Sequence, residues 1–149
     1  TGKLDIRNAS LEDRITYHDS CYLGRHNDVY LAPRKIVGSI KGVQIVEMPR
    51  NGTQGMCCGA GGARMWMEES IGTKVNDERA QEAISTGASR VATACPFCYI
   101  MLDDGVKAAG KEESDVKVAD IAIHLLDALE NGERNLANQN APLATSAGE

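Results

Sequence analysis

A small, mainly parallel four-stranded α/β sheet flanked by helices is the fold class this sequence predicts. Two observations carry it. Short β-prone runs alternate with helical segments along the chain, and the composition is that of a single soluble domain. The 149 residues suffice for one compact core and are too few for two of ordinary size. Apolar residues make up 42% and charged residues 25%, a globular balance. The longest apolar stretch, Val91 to Leu102, contains Pro96 and falls well short of the roughly twenty residues a membrane span needs. A formal charge of -5 and a pI near 5.2 leave no broad basic face for nucleic acid or anionic lipid. The segment Thr1 to Asp5 has no basic region followed by an apolar core, so no signal peptide is expected.

The first strand is expected at Ile15-Thr16-Tyr17-His18, after an N-terminal linker over 1–14. A helix follows from Pro33 to Ile40, with proline at its first position. Val43 to Met48, bounded by Gly42 and Pro49, reads as the second strand. Helices are then expected over Ala63 to Ser70 and Thr73 to Thr86, the latter ended by Gly87. Arg90 to Ala94 is a buried-looking third strand, Pro96 to Ala109 a helix ended by Gly110, and Val116 to Val118 a weaker fourth strand. Asp120 to Glu130 repeats Ile121, Leu125, Leu126 and Leu129 at helical spacing before Asn131-Gly132. Beyond it the composition predicts a disordered tail over 131–149, leaving the domain proper at 15–130.

All five cysteines fall into one pattern: Cys21 beyond the first strand, Cys57-Cys58 in the loop after the second, Cys95-Pro96-Phe97-Cys98 after the third. In an open parallel sheet the carboxyl ends of the strands share one edge, where ligand sites collect, so these thiols can converge. Cys95 as N-cap, with Pro96 next, sets Cys95 and Cys98 facing the same way at a positive helix end, which favours thiolates. Gly59-Ala60-Gly61-Gly62 lets backbone N–H groups approach a negative object such as a cluster sulfide, making Gly59, Gly61 and Gly62 candidate cofactor-binding positions.

An odd count with an adjacent pair argues against structural disulfides and for reduced thiols in the cytoplasm. Three alternatives to an iron–sulfur cluster use the same residues. Buried structural cysteines are one, although adjacent side chains point apart. A zinc site is the second, since Cys-x-x-Cys is its usual half-site, although the other half here is contiguous. The third is glutaredoxin-like thiol–disulfide exchange at Cys95 and Cys98, which leaves Cys21, Cys57 and Cys58 without a role.

Tyr17-His18-Asp19-Ser20-Cys21-Tyr22-Leu23-Gly24-Arg25, Cys57-Cys58-Gly59-Ala60-Gly61-Gly62 and Thr93-Ala94-Cys95-Pro96-Phe97-Cys98 together resemble the cysteine-rich CCG domain. That family occurs in the catalytic subunit of heterodisulfide reductase and in iron–sulfur subunits of glycolate, lactate and glycerol-3-phosphate oxidising enzymes. The resemblance, from about Ile15 to Leu129, implies a noncubane [4Fe-4S] cluster on Cys21, Cys57, Cys58, Cys95 and Cys98. It implies electron transfer to or from a disulfide or a hydroxy-acid or quinone-linked partner. The heterodisulfide reductase subunit carries the motif twice, and related proteins often add ferredoxin-type runs; this sequence carries the motif once. Other domains or subunits with ferredoxin-type clusters or flavin are therefore expected to relay electrons. The implied location is cytoplasmic, including the cytoplasmic face of a membrane-bound parent protein.

So negative a site would be tuned by nearby donors and cations, and His18, Asp19, Arg25 and Arg64 are the candidates. His18 and Asp19 read equally as a proton donor or hydrogen-bond donor to sulfur and as a capped loop with a satisfied histidine. His26 is expected in solvent and His124 at the edge of the core. Met65, Trp66 and Met67 are expected as hydrophobic cover or core, and Glu68-Glu69 and Asp103-Asp104 as exposed charge.

Overall fold

The computed structural model describes residues 4–140. Four parallel strands form one sheet in the order β2-β1-β3-β4: β1 (Arg14–Tyr17), β2 (Gln44–Ile45), β3 (Arg90–Thr93) and β4 (Lys117–Asp120). Four helices connect and follow them: α1 (Leu31–Gly38), α2 (Val75–Ser85), α3 (Pro96–Ala108) and α4 (Ile121–Gln139). The register sets Thr16 beside Val91 and Val91 beside Val118 on one face, and Tyr17 beside Ala92 and Ala92 beside Ala119 on the other. Val91 and Val118 pack with Ala80, Ala83, Leu102 and Val106 of α2 and α3. Ile15, Tyr17 and Ala92 pack with Val37 of α1 and Ile121 of α4. Burial on both faces is why these strands read as continuous apolar runs.

From β1 the chain steps to β2 on one side and later, through β3, to the other. The crevice between the ends of β1 and β3 is thus a topological switch point, the usual ligand position in such sheets. Parallel pairing throughout also differs from the mixed sheet a glutaredoxin-like fold requires.

Several elements depart from the sequence reading. β2 is shorter than Val43 to Met48: it is an edge strand with β1 as its one neighbour, and its pairing ends with the Val46 N–H donating to Ile15 O at 2.9 Å. The helix expected over Ala63 to Ser70 is absent. Gly61–Trp66 forms only 3₁₀ turns, broken by left-handed Gly62 and Ala63, and none of its residues is buried to supply the packing a short helix needs. The segment read as a linker is packed instead. Ala9 and Leu11 lie in a core cluster with Ile40 and Ala128, and Ser10 bridges to Lys41.

That packing also explains why α4 runs through Asn131-Gly132 to Gln139, where the sequence predicts the start of a disordered tail. Asn131 Nδ2 donates to Ser10 O at 2.9 Å, and Gly132 lies so close to the Asn8 carbonyl that a Cβ would stand 1.8 Å from its oxygen. The glycine that suggests a helix stop is there to admit another strand of chain. The rest of the expected tail, 141–149, lies outside the described residues. Among those described, no helix is long and apolar enough to cross a membrane.

At the opposite end of the sheet from the crevice, Arg90 bridges Asp13 at 2.7 Å and Asp127 at 2.6 Å, and Lys117 reaches Asp127 at 2.7 Å. Burial raises both carboxyl pKa values, but the hydrogen bonds from Arg90, Ser89 and Lys117 outweigh it and leave both below the ordinary 3.8. A depressed folded pKa contributes stability above the ordinary value that is lost as pH falls through the lower folded one. We expect the urea midpoint of the parent to fall more steeply below about pH 4 than that of Asp127→Asn, the two converging in acid. Parallel profiles would remove this cluster from the acid sensitivity.

Candidate functional site

The end of β1 organises the site. The His18 N–H extends the β1–β3 pairing by donating to Ala92 O at 2.9 Å, which carries Asp19, Ser20 and Cys21 out over the crevice. Buried Asp19 accepts from Arg34 Nη1 at 2.7 Å and Nη2 at 3.0 Å, and from the Gly52 N–H at 2.7 Å. Burial pushes its pKa up, yet the Arg34 hydrogen bonds and the Gly52 N–H hold it below the ordinary value, so it is ionised. Arg34 also pairs with Glu47 beyond β2 and lies 5.2 Å from the centre of the Tyr17 ring. Arg25 Nη2 donates to Gly55 O at 2.7 Å. These charge-assisted bonds pin the loop that delivers Cys57-Cys58 to the end of β1.

Within that loop, Gly59 has φ +93°, a left-handed backbone open to glycine at little cost, and a Cβ there would press on Val75 Cβ at 3.1 Å and Asn76 N at 3.3 Å. The conformation turns the chain so that the Gly59 N–H donates to Cys57 Sγ at 3.3 Å. On the other wall Cys95 is the extended N-cap of α3, Pro96 takes the first helical position and Cys98 is buried in the first turn. The positive end of α3 therefore faces the thiols.

All five cysteines line one cavity of about 640 Å³, with Ser20, Ala60 and Gly61 and an apolar wall that includes Leu23, Ala94, Pro96 and Phe97. Burial raises the Cys21 pKa, and the neighbouring Cys57, Cys58 and Cys95 raise it further, as crowded thiolates must. Cys58 is pulled down to about 4 by hydrogen bonds from Cys98, His18 and the Ala60 N–H, against its burial. Cys98, as the donor to Cys58, is pushed up. Of this buried pair, Cys58 is shifted toward the thiolate and Cys98 toward the thiol.

His18, 1% exposed, lies behind the cavity wall, and its ring nitrogen and the Cys58 and Cys98 sulfurs lie within 4.8 Å of one another. The hydroxyl of Ser20 is buried at the cavity without a hydrogen-bond partner. A buried donor left open beside five thiols fits a ligand that supplies acceptors, as the sulfides of an iron–sulfur cluster do.

The remaining expected residues are less uniformly placed. Gly62 adopts a left-handed turn at the rim and is absent from the cavity wall. Arg64 is exposed, engaged by Glu69 and turned to a different groove, so it does not approach the thiols. Exposed Arg25 acts through the Gly55 carbonyl. Met65 and Trp66 line the mouth, but Trp66 is 80% exposed and buries little. His26 is exposed. His124 is fully buried, its Nε2 3.2 Å from Val91 O.

Two residues of the site escape a reading of the sequence. Ser20 looks there like ordinary loop polarity. Arg79, 0% exposed, donates from Nε to His18 Nδ1 at 3.1 Å. Its spacing with Asn76, Ala80 and Ala83, all on the buried face of α2, is the signal that could have found it.

Comparison with known proteins agrees with this arrangement. The family model described as "Cysteine-rich domain", CCG, matches residues 15–103. Over 111 residues, 74% of this chain and 16% of the relative, the sequence is 50% identical to the "Probable iron-sulfur-binding oxidoreductase FadF" of Bacillus subtilis. It is 45% identical to the "EtfAB:quinone oxidoreductase" of Syntrophomonas wolfei, covering 78% of this chain and 17% of that protein. Identity to a dihydromethanophenazine:CoB--CoM heterodisulfide reductase subunit of Methanosarcina barkeri is 41%, covering 77% of this chain and 27% of that protein. The chain thus spans between a sixth and about a quarter of the length of these relatives. No solved structure matches it. On the family match and these identities, the chain belongs to the CCG cysteine-rich domain family.

Proposed function

We propose that this chain is the redox domain of a larger iron–sulfur oxidoreductase, binding a noncubane [4Fe-4S] cluster on Cys21, Cys57, Cys58, Cys95 and Cys98. The observation that carries the reading is that every cysteine of the chain lines one cavity at the switch point of the sheet. The names of its relatives support it: one is described as iron–sulfur-binding, one as a quinone oxidoreductase, one as part of a heterodisulfide reductase. A bound cluster would supply one-electron chemistry beside a disulfide or another electron carrier.

The chain's own residues supply the rest. Gly59 N–H, Ala60 N–H and the start of α3 direct positive dipoles at the sulfurs, while Ser20 and His18 offer donors from below. Leu23, Ala94, Pro96 and Phe97 limit water at the thiols. Partner domains or subunits with ferredoxin-type clusters or flavin would deliver or accept the electrons, in the cytoplasm or at the cytoplasmic face of a membrane-bound parent protein.

A second reading rests on the proximity of His18, Cys58 and Cys98, a set of nitrogen and sulfur donors that suits zinc. Anaerobic purification followed by metal and sulfide analysis separates the two. About four irons and four acid-labile sulfides per chain, with visible charge-transfer absorption, are expected. Stoichiometric zinc without sulfide under the same oxygen-free conditions would overturn the cluster.

A further inference from the structure

Arg79 is an expensive residue for its position. It projects from α2 into the core with no exposed surface, and its Nη2 has no hydrogen-bond partner. Burying a guanidinium costs several kcal/mol even after relaxation, and a methionine or leucine would fill the volume without that cost. Its other donors show where the charge is used. Nη1 donates to Arg50 O and to Glu82 Oε2, each at 2.9 Å, which balances the charge and braces the chain after β2. Nε donates separately, at 3.1 Å, to Nδ1 of His18.

That last bond has a consequence for the imidazole. A guanidinium has no lone pair to offer, so Nδ1 must be the acceptor and the ring proton must sit on Nε2. Nε2 is then the one ring nitrogen able to donate, and the His18 ring lies at the thiols, a ring nitrogen within 4.8 Å of the Cys58 and Cys98 sulfurs. A Glu82–Arg79–His18 chain of hydrogen bonds results, running from the buried face of α2 to within 4.8 Å of the Cys58 sulfur.

We infer that Arg79 is a positioning residue: it locks His18 in the Nε2–H tautomer, aims that proton at the Cys58 sulfur and so raises the reduction potential of a cluster held there. This rests on the cluster reading above. A hydrogen bond donated to a ligating sulfur withdraws electron density and favours the more negative, reduced state. Bracing of the loop through Arg50 O needs neither the Nε bond nor a histidine at position 18, so a purely structural role predicts no specific effect on the potential.

The test uses the intact chain purified anaerobically, with Arg79→Met, His18→Leu and the double variant beside the parent. Arg79→Met is expected to shift the redox equilibrium about tenfold toward the oxidised form, about 59 mV more negative for a one-electron couple. His18→Leu should shift it at least as far, and the double variant should match His18→Leu alone, because Arg79 acts through the ring. An unchanged potential in Arg79→Met with full iron content overturns the inference. So does a full additional shift in the double variant, which would mean that the arginine charge acts through space.

The tautomer is read independently from ring ¹⁵N chemical shifts of the cluster-free parent chain. An unprotonated Nδ1 supports the inference, and a proton on Nδ1 overturns it even if the arginine variant fails to fold. A parent chain that never holds iron would instead sink the cluster reading, leaving the ring shifts to decide the arginine's role.

Discussion

If the five cysteines hold the proposed [4Fe-4S] cluster, replacement of Cys58 by serine is expected to strip the anaerobically purified chain of iron, from about four atoms to below about one, with loss of the visible charge-transfer bands. Cys58 is buried, with the donor groups of His18 and Cys98 within 4.8 Å of its sulfur. A serine oxygen is a harder, more basic and shorter ligand, and it would leave those donors directed at the wrong atom. The same loss is expected for serine at Cys21, Cys57, Cys95 and Cys98, because an under-coordinated iron exposes the cluster to solvent and exchange. The outcome discriminates among readings. Thiol–disulfide exchange at Cys95 and Cys98 makes Cys21→Ser, Cys57→Ser and Cys58→Ser nearly silent. Full iron retention in those three variants would refute the five-ligand assignment, and retention in one alone would reduce it to four cysteines.

The second large effect is structural and reaches the site through α3. Gly105 lies where α3 crosses α2 so closely that a Cβ would stand 2.7 Å from the Asn76 carbonyl oxygen and 2.8 Å from Ala80 Cβ. Two opposing contributions apply to Gly105→Ala. Helix propensity favours alanine by about 1 kcal/mol, while the clash is with a backbone carbonyl and a buried neighbour that cannot swing aside. We expect the clash to dominate, with Gly105→Ala destabilising by about 1 kcal/mol and Gly105→Leu by about 3 kcal/mol. Chemical denaturation of the variants against the parent measures both. Because Cys95 and Cys98 sit at the start of α3 and Asn76 Nδ2 is bonded to Met101 O, iron content should fall with the folded fraction. Unchanged stability in Gly105→Leu would mean that α2 and α3 separate freely, contrary to this packing.

What the sequence by itself determined was the alternation of strands and helices and the strand ends at which the thiols sit. Those features are local. β-branched runs, the Cys95-Pro96 helix start and the spacing of Ile121, Leu125 and Leu129 are visible within a few residues. The tertiary structure alone decided what depends on partners distant in sequence. Gly132 reads as a helix stop until Asn8 is seen against it, when it becomes the gap that lets α4 continue. Gly61 to Trp66 carries helix-forming residues but finds no surface to pack on, so propensity loses to the glycines. Arg64, the nearer cation in sequence, turns out to Glu69, whereas Arg79 reaches His18 across the fold. The reason is physical: a charged side chain is buried only where fixed partners offset its desolvation, and those of Arg79 lie on three separate segments, at His18, Arg50 and Glu82.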